Sequence, residues 1–415
     1  MSANNSASPM KRIAASLLRI AVGVPIIAVT IAGAVLLLLS ATLRGRSVGL
    51  SFLLLGIALL CSIGYQRREW FRKIRRRFYA MLVPLALLAY LAPMMLAPDG
   101  APSVGQVENR YLRGQRRFAR FTPANVIPER DQVKIGTSLL SLGAVPYDES
   151  ARMRSLLMPI YDQIDRDAGF RRLGSAMGAV YRDLARLDVR PGHYYLYMPK
   201  TTDNERIPCL IFLHGMGGNI KPCLWLLAKI SKKGTGSDHE ASLCDGRKIN
   251  ESAPVSVFAD EMKYAVVAPT FGIGNWDRPG GAELVVDVAR EAIESLPIDP
   301  NRIYLMGYSN GALGVTRAAI LAPELFAGLI YLSPVTEDEL FSDKKFLLRA
   351  KDREILFLHG RNDRRIPLDF VEGAAARLKS LGCDARLKIF DDDHYLIFSQ
   401  PQAVNEELAE LISRK

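Results

Sequence analysis

Three uncharged apolar runs crowd the first 98 residues, and they limit what this chain can fold into more than any motif does. Ile20–Leu43, Val48–Tyr65 and Phe78–Pro98 contain 24, 18 and 21 residues, against the roughly 20 that a helix needs to cross a bilayer. Pro25, Pro84 and Pro93 interrupt the first and third runs. Proline damages a water-soluble helix, but a membrane-spanning one tolerates it because neighbours re-satisfy the freed carbonyls. A cleaved signal peptide is the weaker reading of the first run. That run is long for such a peptide, lacks an A-x-A cleavage pattern, and is followed by two more apolar runs. The segment Gln66–Arg77 carries seven Lys or Arg, and basic residues beside a span stay in the cytoplasm. The sequence therefore predicts the N-terminus inside, an Arg44-Gly45-Arg46 turn outside, and everything after Pro98 outside. The two arginines of that turn run against the rule.

The formal net charge of +11 invites a nucleic-acid partner until it is located. Residues 1–98 hold 12 of the 54 Lys and Arg but one of the 43 acidic residues, leaving 42 of each sign in 99–415. The excess flanks the apolar runs, so no nucleic acid is expected and the lipid bilayer is the expected partner. Five cysteines (61, 209, 223, 244 and 383) show no C-x-x-C or zinc-like spacing. They read as small buried residues, with a Cys223–Cys244 disulfide left open if the domain faces an oxidising compartment.

The chain divides into a transmembrane module (1–98), a stem and helical connecting region (99–190), and a catalytic domain (191–415). In the stem, Arg110, Arg113, Arg116, Arg117 and Arg120 suit either anionic head groups or a solvated linker. Met153, Leu156, Leu157, Ile160 and Ile164 recur at helical spacing, and a second helical piece spans Leu173–Leu187. These helices either cover the site as a lid or brace the domain, bracing being preferred. From Gly192 onward, strand patterns alternate with helical ones. The strands are His193–Met198, Cys209–Leu213, Tyr264–Ala268, Ile303–Met306, Gly328–Leu332, Ile355–Leu358 and Arg386–Phe390. The helices are Leu284–Ser295, Ala312–Leu321, Phe370–Leu381 and Gln402–Ser413. Such alternation predicts an α/β fold with a mostly parallel sheet covered on both faces, and ligands then sit beyond the carboxyl ends of the strands.

Chemistry-bearing residues fall at those strand ends. Gly307-Tyr308-Ser309-Asn310-Gly311 lies between a buried strand and a helix, the setting of a nucleophile elbow. The turn is tight enough that side chains two positions either side of the serine collide, hence glycine. The loop His214-Gly215-Met216-Gly217-Gly218 follows the strand Cys209–Leu213. With glycines to turn it, the Met216 N–H and the Asn310 N–H form a candidate oxyanion hole. His214 orders the loop. A phosphate-binding P-loop is excluded because no Gly-Lys-Ser/Thr follows. Trp276 and Asp277, after the next strand, are candidates for substrate contact or for plain packing. Asp363 ends another strand and can orient a histidine. His394 lies beyond the last strand, and histidine titrates close enough to neutrality to serve as a general base. Asp391, Asp392 and Asp393 rival Asp363 for the carboxylate role. Singly these are ordinary surface residue types; the order Ser309, Asp363, His394 at successive strand ends is what singles them out.

With these motifs, residues 191–415 resemble an α/β-hydrolase of the polyhydroxybutyrate-depolymerase, feruloyl-esterase and dienelactone-hydrolase groups. The matching text is Leu210–Gly218, Ile298–Gly311, Pro323–Ala327, His359–Asp363 and His394. The resemblance implies Ser309 as nucleophile, His394 as base, Asp363 as its partner, and Met216 with Asn310 as oxyanion hole. Prolyl-oligopeptidase catalytic domains look similar too, but 99–190 is too short for their propeller. Asn310 stands where methionine or glutamine is common, which keeps the backbone donor. A long polar excursion, Asn219–Pro254, reads as a mobile loop. Its Asp238, His239 and Cys244 are ligand types, yet neither metal nor cofactor is expected. The function implied is a membrane-anchored serine hydrolase acting on a small-molecule, lipid or polymer ester. An acyltransferase, a peptidase with the same triad, and a non-catalytic scaffold are the alternatives.

Overall fold

The computed structural model describes residues 9–64, 69–97, 103–104, 106–114, 126–143, 145–175, 192–200, 205–216, 218, 220–229, 258–271 and 276–413. It divides into two compact units, Met1–Ala97 with Arg120–Ser150, and Pro98–Ala119 with Ala151–Lys415. The described residues of 99–190 are shared between the two units.

The first unit contains α1 (Pro9–Leu39), α2 (Leu43–Gly64), α3 (Glu69–Leu96) and α4 (Glu129–Leu140). Ile20–Leu39, Leu43–Cys61 and Tyr79–Leu96 are long and apolar enough to cross a membrane. Leu38, Leu87, Leu88 and Leu96 are all exposed, the reverse of a water-soluble bundle. The backbones of α1 and α2 touch at glycine. A Cβ on Gly33 would lie 2.4 Å from the Leu53 nitrogen and 2.9 Å from the Gly49 oxygen, the close approach that small residues permit between membrane helices. Between α2 and α3, Ser47 Oγ donates to the Ala89 carbonyl at 2.9 Å and Ser51 Oγ to the Ala86 carbonyl at 2.7 Å. Pro93 has no N–H to offer Ala89 four residues back, and Ser47 fills that vacancy.

The turn between α1 and α2 is Ser40–Thr42, not the Arg44–Arg46 turn expected from sequence. Both arginines lie inside α2 and serve the ends of helices. Arg46 Nε donates to the Ser40 carbonyl at 3.0 Å, and Arg44 Nη1 to the Leu96 carbonyl at 3.0 Å. Carbonyls at helix C-termini lack intrahelical donors and carry the negative end of the dipole. Asp131 of α4, fully buried, does the opposite job for α2. Its carboxylate accepts from Ala41 N at 2.7 Å, Thr42 N at 3.1 Å and the Thr42 hydroxyl, an anionic cap at a helix N-terminus.

The second unit is built on nine strands: β1 (Ser103–Val104), β2 (Val107–Tyr111), β3 (His193–Tyr197), β4 (Ile207–Leu213), β5 (Ala265–Pro269), β6 (Ile298–Tyr308), β7 (Gly328–Leu332), β8 (Glu354–Gly360) and β9 (Asp384–Phe390). Their order is β1-β2-β3-β5-β4-β6-β7-β8-β9. The first three pairings are antiparallel, and everything from β5 to β9 is parallel. The helices of this unit are α5 (Tyr147–Arg166), α6 (Ile220–Lys229), α7 (Phe258–Met262), α8 (Gly281–Ser295), α9 (Gly311–Leu321), α10 (Lys344–Ala350), α11 (Leu368–Ser380), α12 (Leu396–Ser399) and α13 (Pro401–Ser413); the first turn of α5 belongs to the other unit. Strands β4, β5 and β7 are buried throughout, as strands covered on both faces must be, which is why they read as unbroken apolar runs.

Several expectations change here. The stem contributes β1 and β2 to the sheet edge, and within β2 Arg110 pairs with Glu108 at 2.5 Å, while Arg116, Arg117 and Arg120 lie outside the described residues. The polar excursion 219–254 opens with α6, whose Cys223, Leu224, Leu226 and Leu227 are buried. Only its later part lies outside the described residues. Cys223 is a free thiol, and Cys244 falls in that outer part. The α5 stripe of Leu157, Ile160 and Ile164 is buried. Most of Leu173–Leu187 is not described.

Candidate active site

Ser309 stands between the end of β6 and the start of α9 with φ at 52°, a left-handed conformation that costs a non-glycine residue roughly 1–3 kcal/mol. Three backbone bonds hold it there. Ser309 N donates to Leu332 O at 2.9 Å, while Val335 N and Ala312 N donate to Ser309 O at 3.1 Å each. A Cβ on Gly307 would lie 2.5 Å from the Gly311 carbonyl, and one on Gly311 would lie 2.2 Å from the Leu213 carbonyl. Neither position admits a side chain, so the serine is forced up between them, half-exposed.

His394, beyond β9, meets it. His394 Nε2 is 3.1 Å from Ser309 Oγ, and Nδ1 is 2.7 Å from Asp363 Oδ2. Asp363, in the turn after β8, accepts from Arg365 N at 2.8 Å and Ile366 N at 2.9 Å through its other oxygen. Burial pushes this carboxyl up, but the bond and charge of His394 and the two amides outweigh it, holding it below the usual carboxylate range. The three neighbouring aspartates are engaged elsewhere: Asp391 with Asn362, Asp392 with Ser399 and Gln400, Asp393 with the Tyr395 amide.

The glycine loop after β4 lies against the serine. A Cβ on Gly215 would sit 3.2 Å from the Tyr308 ring and 3.4 Å from Ser309 Cβ, and Met216 next to it is exposed. His214 Nδ1 donates to the Gly215 carbonyl at 2.8 Å and its Nε2 accepts from Phe271 N at 3.3 Å. Burial lowers its pKa to about 4, so it orders this loop as a neutral ring.

Trp276 takes the packing role among its two expected ones. It is fully buried; its Nε1 donates to the His214 carbonyl at 2.8 Å and its backbone N to Asn310 Oδ1 at 3.1 Å. It is a strut between the glycine loop and the elbow, because the chain after β5 folds inward over α9, where Gly314 makes room for the indole. Asp277 sits exposed on the following turn. Two residues that the sequence reading passed over matter here. Tyr308 OH donates to the His394 carbonyl at 3.1 Å, its ring 5.5 Å from the imidazole. His359 Nε2, 3.8 Å from Asp363, donates to the Ile366 carbonyl at 3.0 Å, and burial lowers its pKa despite that carboxylate. Both lie within the motifs themselves, Tyr308 before the serine and His359 before Gly360. Among the described residues no group of three or more His, Cys, Asp or Glu could hold a metal; Asp238, His239 and Cys244 lie outside them.

Residues 282–412 match the Phospholipase/Carboxylesterase family, the stretch that carries β6 to β9 and all three hydrogen-bonded residues. Over that stretch the chain is similar to this family, and its mostly parallel, helix-covered sheet is an α/β-hydrolase-like fold. No curated protein matches this chain at significant similarity. Similar solved structures include a thermostable esterase, at 20% identity and TM-score 0.35 over 54% of this chain and 56% of that one. Est1E from Butyrivibrio proteoclasticus has 16% identity and TM-score 0.37 over 54% and 95%. FphF, a fluorophosphonate-binding serine hydrolase from Staphylococcus aureus, has 16% and 0.37 over 55% and 95%. The match spans little more than half of the first of these, and none bears on what this chain acts on.

Buried His214 makes the stability of the second unit depend on pH. Folded, it takes up a proton only near pH 4, whereas an unfolded histidine does so near 6.5. Between those values the unfolded chain holds more protons, so stability falls on acidification, by roughly 3 kcal/mol from this group. Thermal unfolding followed from pH 7.5 to 4.5 should show a falling Tm whose slope is clearly flatter in His214→Gln. Equal slopes would contradict a buried neutral ring.

Proposed function

We propose that this chain is a membrane-anchored serine hydrolase that cleaves a carboxylic ester through an acyl-enzyme. The observation that carries the reading is the unbroken chain from Ser309 Oγ through His394 to Asp363, at 3.1 and 2.7 Å. In this mechanism Ser309 Oγ attacks the ester carbonyl while His394 Nε2 takes its proton. Asp363, kept ionised, holds the Nδ1–H tautomer and stabilises the imidazolium. The tetrahedral oxyanion rests on the backbone N–H groups of Met216 and Asn310. The Asn310 side-chain oxygen is already occupied by Trp276, so that residue contributes through its backbone. Each such donor is worth roughly 3–4 kcal/mol in the transition state. His394 then returns the proton to the leaving alcohol, and a water molecule, activated the same way, releases the acid. The match to a carboxylesterase family favours an ester over an amide.

The anchor follows from the three span-length helices. Arg44 and Arg46, which argued against an external first turn, are engaged by carbonyls at helix ends, and the basic segment Gln66–Arg77 then favours an N-in arrangement with the hydrolase unit outside.

In the full-length protein in detergent, Asp363→Asn should fold normally and lose about 10⁴-fold in kcat toward p-nitrophenyl esters, because the imidazole loses its orienting carboxylate. Retained turnover would remove Asp363 from the mechanism. For topology, alkaline phosphatase fused after Pro98 should be active and the same fusion within Gln66–Arg77 silent; the reverse pattern would put the hydrolase unit in the cytoplasm.

A further inference from the structure

His394 follows three consecutive aspartates, and their bonds hold its loop in place. Asn362 donates to the Asp391 carboxylate at 3.2 Å from its side chain and to the Asp392 carbonyl at 2.8 Å from its backbone. Asp392, nearly buried, accepts from Asp393 N at 2.7 Å, Ser399 Oγ at 2.7 Å and Gln400 Nε2 at 2.8 Å. Asp393 accepts from Tyr395 N at 2.9 Å. All these donors are neutral. They satisfy lone pairs but do not balance two negative charges packed one and two residues from an imidazole.

The balancing charge comes from outside the family-matched stretch. Arg152, on α5, places Nε 3.1 Å from Asp393 Oδ2 and Nη2 3.6 Å from Asp392 Oδ1. It is held at that spot because the same helix buries Leu157, Ile160, Tyr161 and Ile164, which fixes its register. An exposed ion pair alone would contribute little, but Asp392 is a largely buried carboxylate, and a buried charge that loses its partner is costly. Tyr308 tethers the same loop from the elbow side through the His394 carbonyl. The loop is thus clamped from two elements, one on either side of the imidazole's backbone.

We propose that Arg152 is a positioning residue for His394, clamping Asp392 and Asp393 so that the imidazole stays between Ser309 and Asp363. The proposal rests on the serine-hydrolase reading for its consequence in turnover, though not for the clamp itself. It gives α5 a part in the working site, where sequence preferred bracing to a lid.

Two variants of the full-length protein in detergent test it, Arg152→Ala and Arg152→Lys. Amide hydrogen exchange is read peptide by peptide, and kcat and KM are measured on a p-nitrophenyl ester that the wild type cleaves. In Arg152→Ala, exchange over 391–398 should accelerate about tenfold with β6 to β8 unchanged. Its kcat should fall about tenfold with KM unaltered, and Arg152→Lys should recover most of both. Unchanged exchange over 391–398 would overturn the clamp, and so would acceleration spread across the whole sheet. Faster loop exchange with wild-type kcat would overturn the positioning role. If the wild type cleaves no ester, the serine-hydrolase reading fails, while the exchange comparison still decides whether Arg152 holds the loop.

Discussion

Ser309 keeps a backbone conformation that L-residues avoid, with φ at 52°, and much of the second unit keeps it there. The bond from its N–H reaches across to the end of β7. The two glycines around it let β6, α9 and the end of β4 approach to distances at which a Cβ would collide with backbone atoms. The strain persists because the surrounding contacts over-determine the turn. What it achieves is placement: the hydroxyl stands just beyond the carboxyl end of β6, where the turns after β8 and β9 can bring a carboxylate and an imidazole to it. Relaxing the elbow would leave the same three residue types with no common meeting point.

The parts around this turn divide the work by solvation. His214, Trp276 and His359 are buried and serve as scaffolding: neutral rings and an indole that bond to carbonyls of the loops bearing functional groups. Asp363 is buried too, but burial is outweighed by His394 and two backbone amides, so it keeps its charge. The same logic runs through the helical unit. Asp131 is tolerated in full burial because it caps the N-terminus of α2, and Arg44 and Arg46 end on carbonyls that helix geometry leaves without donors.

Sequence made legible whatever is local. The elbow needs a strand, a small-residue turn and a helix in succession, and Ile303–Leu321 displays all three. Asp363 and His394 could be found because both follow unbroken apolar strands. The three spans stood out by length and lack of charge. Long-range pairings were not legible. β1 is only two residues and pairs with β2, while β2 carries glutamate and arginine and acquires strand identity by pairing with β3. Asp131 meets partners about 90 residues away, and Arg152 meets Asp393 at a separation of 241, so neither leaves a local pattern. α6 was hidden because it is only ten residues long, Lys221 and Lys229 among them, and precedes a long polar tract. Trp276 was correctly located near the site in sequence, but depth is not a sequence property, and its indole points into the core.

The central claim is that the elbow serine is a nucleophile made ready by its neighbours, and covalent capture tests it most directly. The full-length protein, incubated with a fluorophosphonate and digested, should carry the adduct on the peptide containing Ser309, with none formed in Ser309→Ala. A wild-type protein that stays unmodified at Ser309, or an adduct that survives Ser309→Ala, would contradict the account.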